Sequence, residues 1–139
     1  MSGPTRMFVI DSSVAYKWFN AEGESHVESA LELLTEHSSG TILLAAPVHL
    51  LTEVLNGLRY AKLNVETLRM AIEGLIESEI ATAPIDANLL SSALDIALAY
   101  DLTIHDAIFP ALAIALDCEL VTADLAQARV TECPVRLLT

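Results

Sequence analysis

Short, largely apolar runs alternate along this chain with longer segments of helical periodicity. Five such runs are present: MFVI at 7–10, TILLAA at 41–46, EIATAP at 79–84, ELVT at 119–122 and VRLL at 135–138. A short apolar run between turn signals is typical of a strand buried on both faces. Strands that alternate with helices form a parallel sheet covered by helices. We therefore predict an α/β fold with a central parallel sheet of four to five strands.

Helix signals occupy the segments between these runs. Asp86 and Thr103 are placed to cap helices, because their side-chain oxygens can accept hydrogen bonds from the first-turn amides. Pro47 fits the first position of another helix, predicted to reach about residue 62. In the helix after Asp86, one face with a 3.6-residue period carries Leu90, Ala93, Leu94, Ala97 and Leu98.

The length of 139 residues predicts one domain, 1–139, large enough for its own hydrophobic core. The longest apolar stretches, near 41–51 and 107–116, are shorter than the roughly 20 residues of a spanning helix and contain proline. Only residues 7–10 are apolar before Asp11, which does not fit a signal peptide. The two cysteines, Cys118 and Cys133, are therefore expected to be reduced, in a cytoplasmic protein without a membrane partner.

The chain is strongly acidic, with nineteen Asp and Glu against seven Lys and Arg and a net charge of −12. This balance argues against broad, non-specific nucleic-acid binding, which depends on cations that neutralise phosphates. It does not exclude an enzyme that reaches nucleic acid through a bound metal ion. Arg59, Lys62 and Arg69 could guide RNA or form a solvated helix face, and Lys17 could contact a phosphate or lie along the surface.

Four acids stand at the ends of predicted elements or on a helix face. Asp11 and Asp124 follow strands, where ligands bind in parallel α/β sheets, and Asp106 lies in the first turn of a helix. Helix capping is an alternative role for each of these three acids. Glu53 lies near an apolar helix face and could equally be an exposed glutamate. Because Asp106 precedes a long apolar run, its carboxylate needs backbone amides, a basic side chain or a metal ion as a partner.

Four segments together resemble a known family. They are VIDSSVAYKWF, AAPVHLLTEVLNGL, HDAIFPALAIAL and LVTAD, and their order and spacing are similar to those of the PIN-domain ribonucleases. The resemblance is greatest to the VapC-type toxins of bacterial type II toxin–antitoxin systems, and it covers nearly the whole chain. It implies a PIN-like three-layer α/β/α sandwich and a metal-dependent endoribonuclease that cuts tRNA or another structured RNA.

The resemblance further implies that Asp11, Glu53, Asp106 and Asp124 converge in one acidic pocket. Asp11 and Asp106 are expected to be the closest ligands of a Mg²⁺ ion, with Mn²⁺ as an alternative. Glu53 and Asp124 would complete the coordination through water or orient the nucleophile. These residue types suit the chemistry, because Mg²⁺ takes oxygen ligands and can activate a bound water for attack on a phosphodiester.

Three further residues are candidates for supporting roles, two of them beside a structural alternative. Thr122 could hydrogen-bond a carboxylate or a phosphate, or simply fill its strand. Asn56 could orient Glu53, one helical turn earlier, or serve in packing or a dimer contact. Ser13 is grouped with these supporting residues, whereas His105 could contact RNA or be a bystander.

The resemblance also implies partners: RNA, a second copy of the chain in a homodimer, and a VapB-like antitoxin. An arginine or lysine of the antitoxin would enter the acidic pocket and pair with Asp11 and Asp106. An amphipathic helix of the antitoxin would lie in an apolar groove beside the helix that contains Leu50 to Leu58.

Pro110 departs from the family pattern, and other protein classes also begin with an acid after a strand. A proline inside the helix of Asp106 is expected to kink or delay that helix, which keeps open a catalytically impaired PIN-like interaction module as the alternative. A haloacid dehalogenase-type phosphatase needs a second Asp where this chain has Ser13. A response-regulator receiver needs a late lysine, and this chain has only Lys17 and Lys62.

Overall fold

The computed structural model of the protein describes residues 5–139 and contains one five-stranded sheet. Every strand pairs in parallel with its neighbours, in the order β3-β2-β1-β4-β5. The strands are β1 (Arg6–Ile10), β2 (Ile42–Pro47), β3 (Ala81–Ala83), β4 (Glu119–Thr122) and β5 (Val135–Leu137). The predicted α/β fold with a parallel sheet of four to five strands is confirmed.

Six helices surround the sheet and complete a three-layer α/β/α arrangement. They are α1 (Ser12–Tyr16), α2 (Val27–Ser38), α3 (Leu50–Tyr60), α4 (Val65–Glu77), α5 (Ala87–Tyr100) and α6 (Ile104–Ala115). Helix α6 packs across β1, β2 and β4 with α5 packed on it, whereas α2 packs on β2 and α1 packs on both β4 and α3. Within the described residues no single helix has the length and apolar character to cross a membrane, although α5 and α6, bent by 115° at the break between them, meet those criteria as a pair.

The strand order reverses direction between β1 and β4. From β1 the chain builds β2 and β3 on one side, then passes through α5 and α6 to add β4 and β5 on the other side. Such a switch point opens a crevice at the carboxyl ends of the strands, where ligands bind in open α/β sheets. Helix α3 begins just after the carboxyl end of β2, so its N-terminus lies at this edge. Helix α6 ends just before β4 begins at the opposite edge of the sheet, so the N-terminus of α6 also lies at the carboxyl edge.

One expectation about the start of a helix is wrong, and the apolar face identified on α5 is only partly buried. Pro47 ends β2, where it pairs with Ala83, and α3 begins only at Leu50. A proline is tolerated at a strand end because few of its backbone groups are needed there. On α5 the alanines of the predicted face are buried, but the leucines are exposed: Leu90 at 43 %, Leu94 at 48 % and Leu98 at 76 %.

The reason for the different face of α5 is that this helix is apolar on more than one side. Its buried residues are Leu89, Ala93, Ile96 and Ala97, which form a stripe displaced from the predicted one. Periodicity alone cannot choose between two apolar stripes, and the choice follows from how α5 packs on α6.

Pro110 does not delay the start of α6. The helix runs from Ile104 to Ala115 with Pro110 buried inside it, and Thr103 caps its first turn by accepting a hydrogen bond from the amide of Asp106 at 3.1 Å. Proline removes the amide that would bond to the carbonyl of Asp106. The apolar residues that follow Asp106 are buried against the sheet, which holds the helix in place despite this loss.

Candidate active site

Asp11 lies at the end of β1, is 2 % exposed and caps α1. Its Oδ1 atom accepts hydrogen bonds from the hydroxyl of Ser13 at 2.6 Å and from the amide of Val14 at 3.3 Å. Its Oδ2 atom accepts one from the hydroxyl of Thr122 at 2.6 Å. A carboxylate oxygen has two lone pairs, so Oδ2 keeps one that no donor within residues 5–139 uses.

The two hydroxyls that bind Asp11 are themselves held by backbone amides after β4. The hydroxyl of Ser13 accepts from the amide of Ala123 at 3.0 Å, and that of Thr122 accepts from the amide of Asp124 at 2.9 Å. Each hydroxyl must therefore direct its proton at Asp11. These two relays join the end of β1 to the loop that carries Asp124.

Glu53 lies in the first turn of α3 and is oriented by a serine that the sequence analysis did not single out. The hydroxyl of Ser12 donates to Glu53 Oε1 at 2.7 Å. Asn56, predicted to orient Glu53, is exposed and makes no side-chain hydrogen bond to it within the described residues. The position of Ser12 directly after Asp11 was the available signal, since a hydroxyl there faces the same sheet edge.

Asp106 lies in the first turn of α6, where the positive end of the helix dipole favours a carboxylate. Burial raises the pKa of Asp106 above its ordinary value, and the neighbouring carboxylates of Asp124 and Glu53 raise it further. In residues 5–139 neither Asp106, Asp11 nor Asp124 forms an ion pair with a lysine or arginine. Within residues 5–139, Asp106 therefore has no lysine or arginine as the partner that its carboxylate needs.

The four predicted acids share this edge of the sheet and influence one another electrostatically. Asp124 raises the pKa of both Asp11 and Asp106, and Glu53 raises that of Asp106. Among the described residues, no three of these acids bring their carboxylate oxygens within 4.8 Å of one another. Mutual repulsion favours such a spread. An all-oxygen donor set of this kind, without a protein cation to neutralise it, fits a hard divalent cation such as Mg²⁺ or Mn²⁺.

A cleft of about 590 Å³ opens beside the acids, on the side of Glu53. The cleft is lined by Asn56, Arg59 and His105, among others. Of the three basic residues predicted to guide RNA, Arg59 is the one that lines this cleft. Lys17 is 7 % exposed and pairs with Glu24 at 2.9 Å, so it does not lie along the surface, and a phosphate would have to displace Glu24 to contact it.

Asp11 makes the stability of the metal-free protein depend on pH. Burial raises the pKa of Asp11 from 3.8 to about 6, against the hydrogen bonds from Ser13 and Thr122 that lower it. The folded protein therefore keeps this proton at a pH at which the unfolded chain has lost it, and the free energy of unfolding falls as pH rises from about 4 to 6. The shift corresponds to roughly 2–3 kcal/mol.

The substitution Asp11→Asn is expected to remove the fall in the free energy of unfolding that the wild type shows as pH rises. In a chelator, its free energy of unfolding minus that of the wild type should increase steadily from about pH 4 to pH 7, measured by urea denaturation, on top of a constant cost for the acceptor oxygen that asparagine lacks. Parallel curves for the two proteins over this range would contradict the assignment of the pH dependence to Asp11.

A parallel α/β sheet with an acidic crevice at its switch point is typical of metal-dependent hydrolases and related enzymes. The chain matches the PIN domain family over residues 8–132. It therefore belongs to the PIN domain family. No curated protein matches the chain.

Three solved structures illustrate the shared fold. VapBC2 from Rickettsia felis, bound to a DNA fragment from its promoter, has a TM-score of 0.72 at 14 % identity and covers 96 % of this chain and 99 % of its own. VapC20 from Mycobacterium tuberculosis, a toxin that cleaves the sarcin-ricin loop, has a TM-score of 0.67 at 16 % identity, covering 90 % and 97 %. VapBC-5 from the same organism, a member of the VapBC family of toxin–antitoxin systems, has a TM-score of 0.60 at 21 % identity, covering 94 % and 98 %.

Proposed function

We propose that this protein is a metal-dependent endoribonuclease and the toxin of a type II toxin–antitoxin system. The observation that carries the proposal is the acidic edge between β1 and β4, where Asp11 is buried with one lone pair unused and no lysine or arginine of the described chain pairs with Asp106. The PIN domain family match and the toxins among the structural neighbours support the choice of reaction.

In this proposal Asp11 and Asp106 hold the cation, and Asp124 and Glu53 complete its surroundings through water. The bound Mg²⁺ or Mn²⁺ would act as a Lewis acid and lower the pKa of a water molecule that attacks the phosphodiester. Ser13 and Thr122 keep Asp11 in its orientation, and Ser12 does the same for Glu53. Arg59 and His105 in the neighbouring cleft are placed to contact the RNA backbone.

The direct test is cleavage of RNA by the purified protein with and without divalent metal. We expect cleavage of a structured RNA such as tRNA, in a loop whose bases can be splayed out, with Mg²⁺ or Mn²⁺ and none in excess chelator. Cleavage that persists in chelator would contradict the proposal. Metal binding without cleavage of any tested RNA would favour the impaired interaction module instead.

An antitoxin is the expected protein partner, and its basic side chain would enter the acidic edge. VapBC toxin–antitoxin structures among the neighbours and the net charge of −12 support this pairing. The groove beside the helix of Leu50 to Leu58 stays a prediction, and the apolar side chains Leu50, Val54 and Leu58 themselves are buried in the core and unable to line it. Exposed apolar side chains that could contact such a helix lie on α4, at Val65, Met70, Ile72 and Ile76.

Self-association is expected through apolar surface that the fold leaves uncovered. The exposed leucines of α5, at positions 90, 94 and 98, recur every four residues and form a stripe on one side of the helix. Such a stripe is typical of an interface between helices.

Co-expression with the product of the adjacent gene tests both associations. Light scattering should show a dimer of this chain, and the co-purified complex should cleave RNA more slowly than the free protein, with an association rate that falls as salt increases. A monomer that binds no such product, and whose activity that product does not reduce, would contradict the antitoxin proposal and leave the nuclease proposal intact.

A further inference from the structure

We propose that His49, Glu53 and His105 form a second metal site, which takes a borderline-soft divalent ion of the Zn²⁺ class. One ligand atom from each of these residues lies within 4.8 Å of the others. His49 directly precedes α3 and Glu53 lies in its first turn, with His49 Nε2 4.0 Å from Glu53 Oε1, and His105 comes from the first turn of α6. The site thus bridges the two helices that border the acidic edge.

The donor set distinguishes this site from the oxygen-only site next to it. Two imidazoles and one carboxylate are ligands for Zn²⁺ and other transition metals, whereas Mg²⁺ prefers oxygen. Metal–ligand bonds of about 2.0–2.1 Å in a tetrahedral site place donor atoms roughly 3.3 Å apart. The three donors must therefore approach one another by no more than about 1.5 Å, a change within reach of small side-chain rotations.

Surrounding contacts already hold two of the three ligands. The ring of His49, 12 % exposed, packs on the ring of Phe109 with centroids 4.7 Å apart, and its Nε2 atom lies 3.0 Å from the carbonyl oxygen of His105. Ser12 orients Glu53 through its hydroxyl. The Phe109 packing and the Ser12 hydrogen bond can persist when metal binds, and contacts that orient a ligand in this way strengthen metal binding.

The third ligand is free to move, and the site is open to solvent. His105 is exposed, so its ring can turn toward the ion at little cost. The cleft of about 590 Å³ borders all three ligands and leaves room for a water molecule in the fourth position. When the metal binds, His49 Nε2 gives up its contact with the His105 carbonyl oxygen and coordinates the ion instead.

Glu53 belongs to both sites, which couples them. An ion held by the two histidines draws the Glu53 carboxylate toward the cleft and away from Asp106. If the proposed nuclease function is correct, on which this consequence rests, Zn²⁺ would inhibit cleavage that is supported by Mg²⁺. The metal site itself does not depend on that function.

Binding is tested on untagged protein with Co²⁺ as a spectroscopic probe and with Zn²⁺ calorimetry in the presence of excess Mg²⁺. We expect one equivalent of metal, with visible absorption bands of nitrogen-ligated, low-coordinate Co²⁺. His105→Asn should weaken Zn²⁺ binding by at least about tenfold, since loss of a supporting contact alone typically costs 10–100-fold. Because His105 is exposed, this variant should fold normally, which thermal denaturation checks.

Two matched variants make the result specific. His26→Asn makes the same change at an exposed histidine before α2, at a left-handed φ of 58° that asparagine tolerates, and should leave Zn²⁺ affinity unchanged. Asp106→Asn should leave Zn²⁺ bound. Absence of the visible bands, equal affinity in His105→Asn, or loss of Zn²⁺ binding in Asp106→Asn alone would each overturn the site.

The cleavage assay separates this inference from the proposed function. Zn²⁺ should inhibit wild-type cleavage in Mg²⁺ and should inhibit His105→Asn less, when each is compared with its own rate without Zn²⁺. Zn²⁺ binding as described, in a protein that cleaves no RNA under any metal condition, supports the histidine site and counts against the proposed nuclease.

Discussion

Asp106→Asn is expected to lower metal-dependent RNA cleavage by about a thousandfold, which corresponds to roughly 4 kcal/mol of transition-state stabilisation. The substitution removes a carboxylate charge and nearly preserves the side-chain volume. The cap of α6 comes from Thr103 and the amide of residue 106, neither of which the change removes. The fold should therefore persist, since the variant also relieves repulsion from Asp124 and Glu53. Steady-state cleavage measures the loss of activity, and Mg²⁺ calorimetry measures the accompanying change in metal affinity.

Asp95→Asn is the matched control for this experiment. Asp95 is exposed on α5, away from the acidic edge, so the same change of charge should leave cleavage and Mg²⁺ affinity unaltered. Equal losses in both variants would show that the overall charge of the protein, and not the site, controls the reaction. If Asp106→Asn cleaves RNA as fast as the wild type does, Asp106 has no part in the proposed mechanism.

Thr122→Val is expected to lower Mg²⁺ affinity and cleavage by about 10–100-fold, although Thr122 need not touch the metal or the RNA. Valine nearly matches threonine in shape but lacks the hydroxyl that donates to Asp11 Oδ2 and accepts from the amide of Asp124. Without this donor the pKa of Asp11 rises beyond about 6, so that more of the metal-free protein is protonated at neutral pH. The carboxylate also loses one of the contacts that orient it.

Thr122→Ser separates the hydroxyl from the methyl group. Serine keeps the relay from Asp124 to Asp11 and loses only a buried methyl, at a cost of about 1 kcal/mol in stability. We expect it to retain most of the Mg²⁺ affinity and cleavage. If serine and valine reduce both to the same extent, the role of Thr122 is packing within β4 and not orientation of Asp11.

The acids and the elements that carry them could be predicted from sequence, whereas several of their partners could not. Asp11 was recognisable because it ends an apolar run, and Asp106 because Thr103 precedes it at capping distance. The place of Ser12 directly after Asp11 indicates that its hydroxyl faces this edge, but its partner Glu53 lies 41 residues away and is fixed only by the tertiary structure. The pairing of His49 with His105 likewise depends on α3 and α6 beginning at the same sheet edge.

Local chemistry accounts for the parallel sheet and the caps at Asp86 and Thr103, because strand burial and capping depend on neighbours within a few residues. The expectation that the four acids converge came from resemblance to PIN-domain ribonucleases and not from periodicity. Which leucines of α5 remain exposed, and which hydroxyl holds Glu53, depend on packing between segments distant in sequence. Such contacts exist only once the strands have taken the order β3-β2-β1-β4-β5, since that order brings the ends of β1 and β4 together.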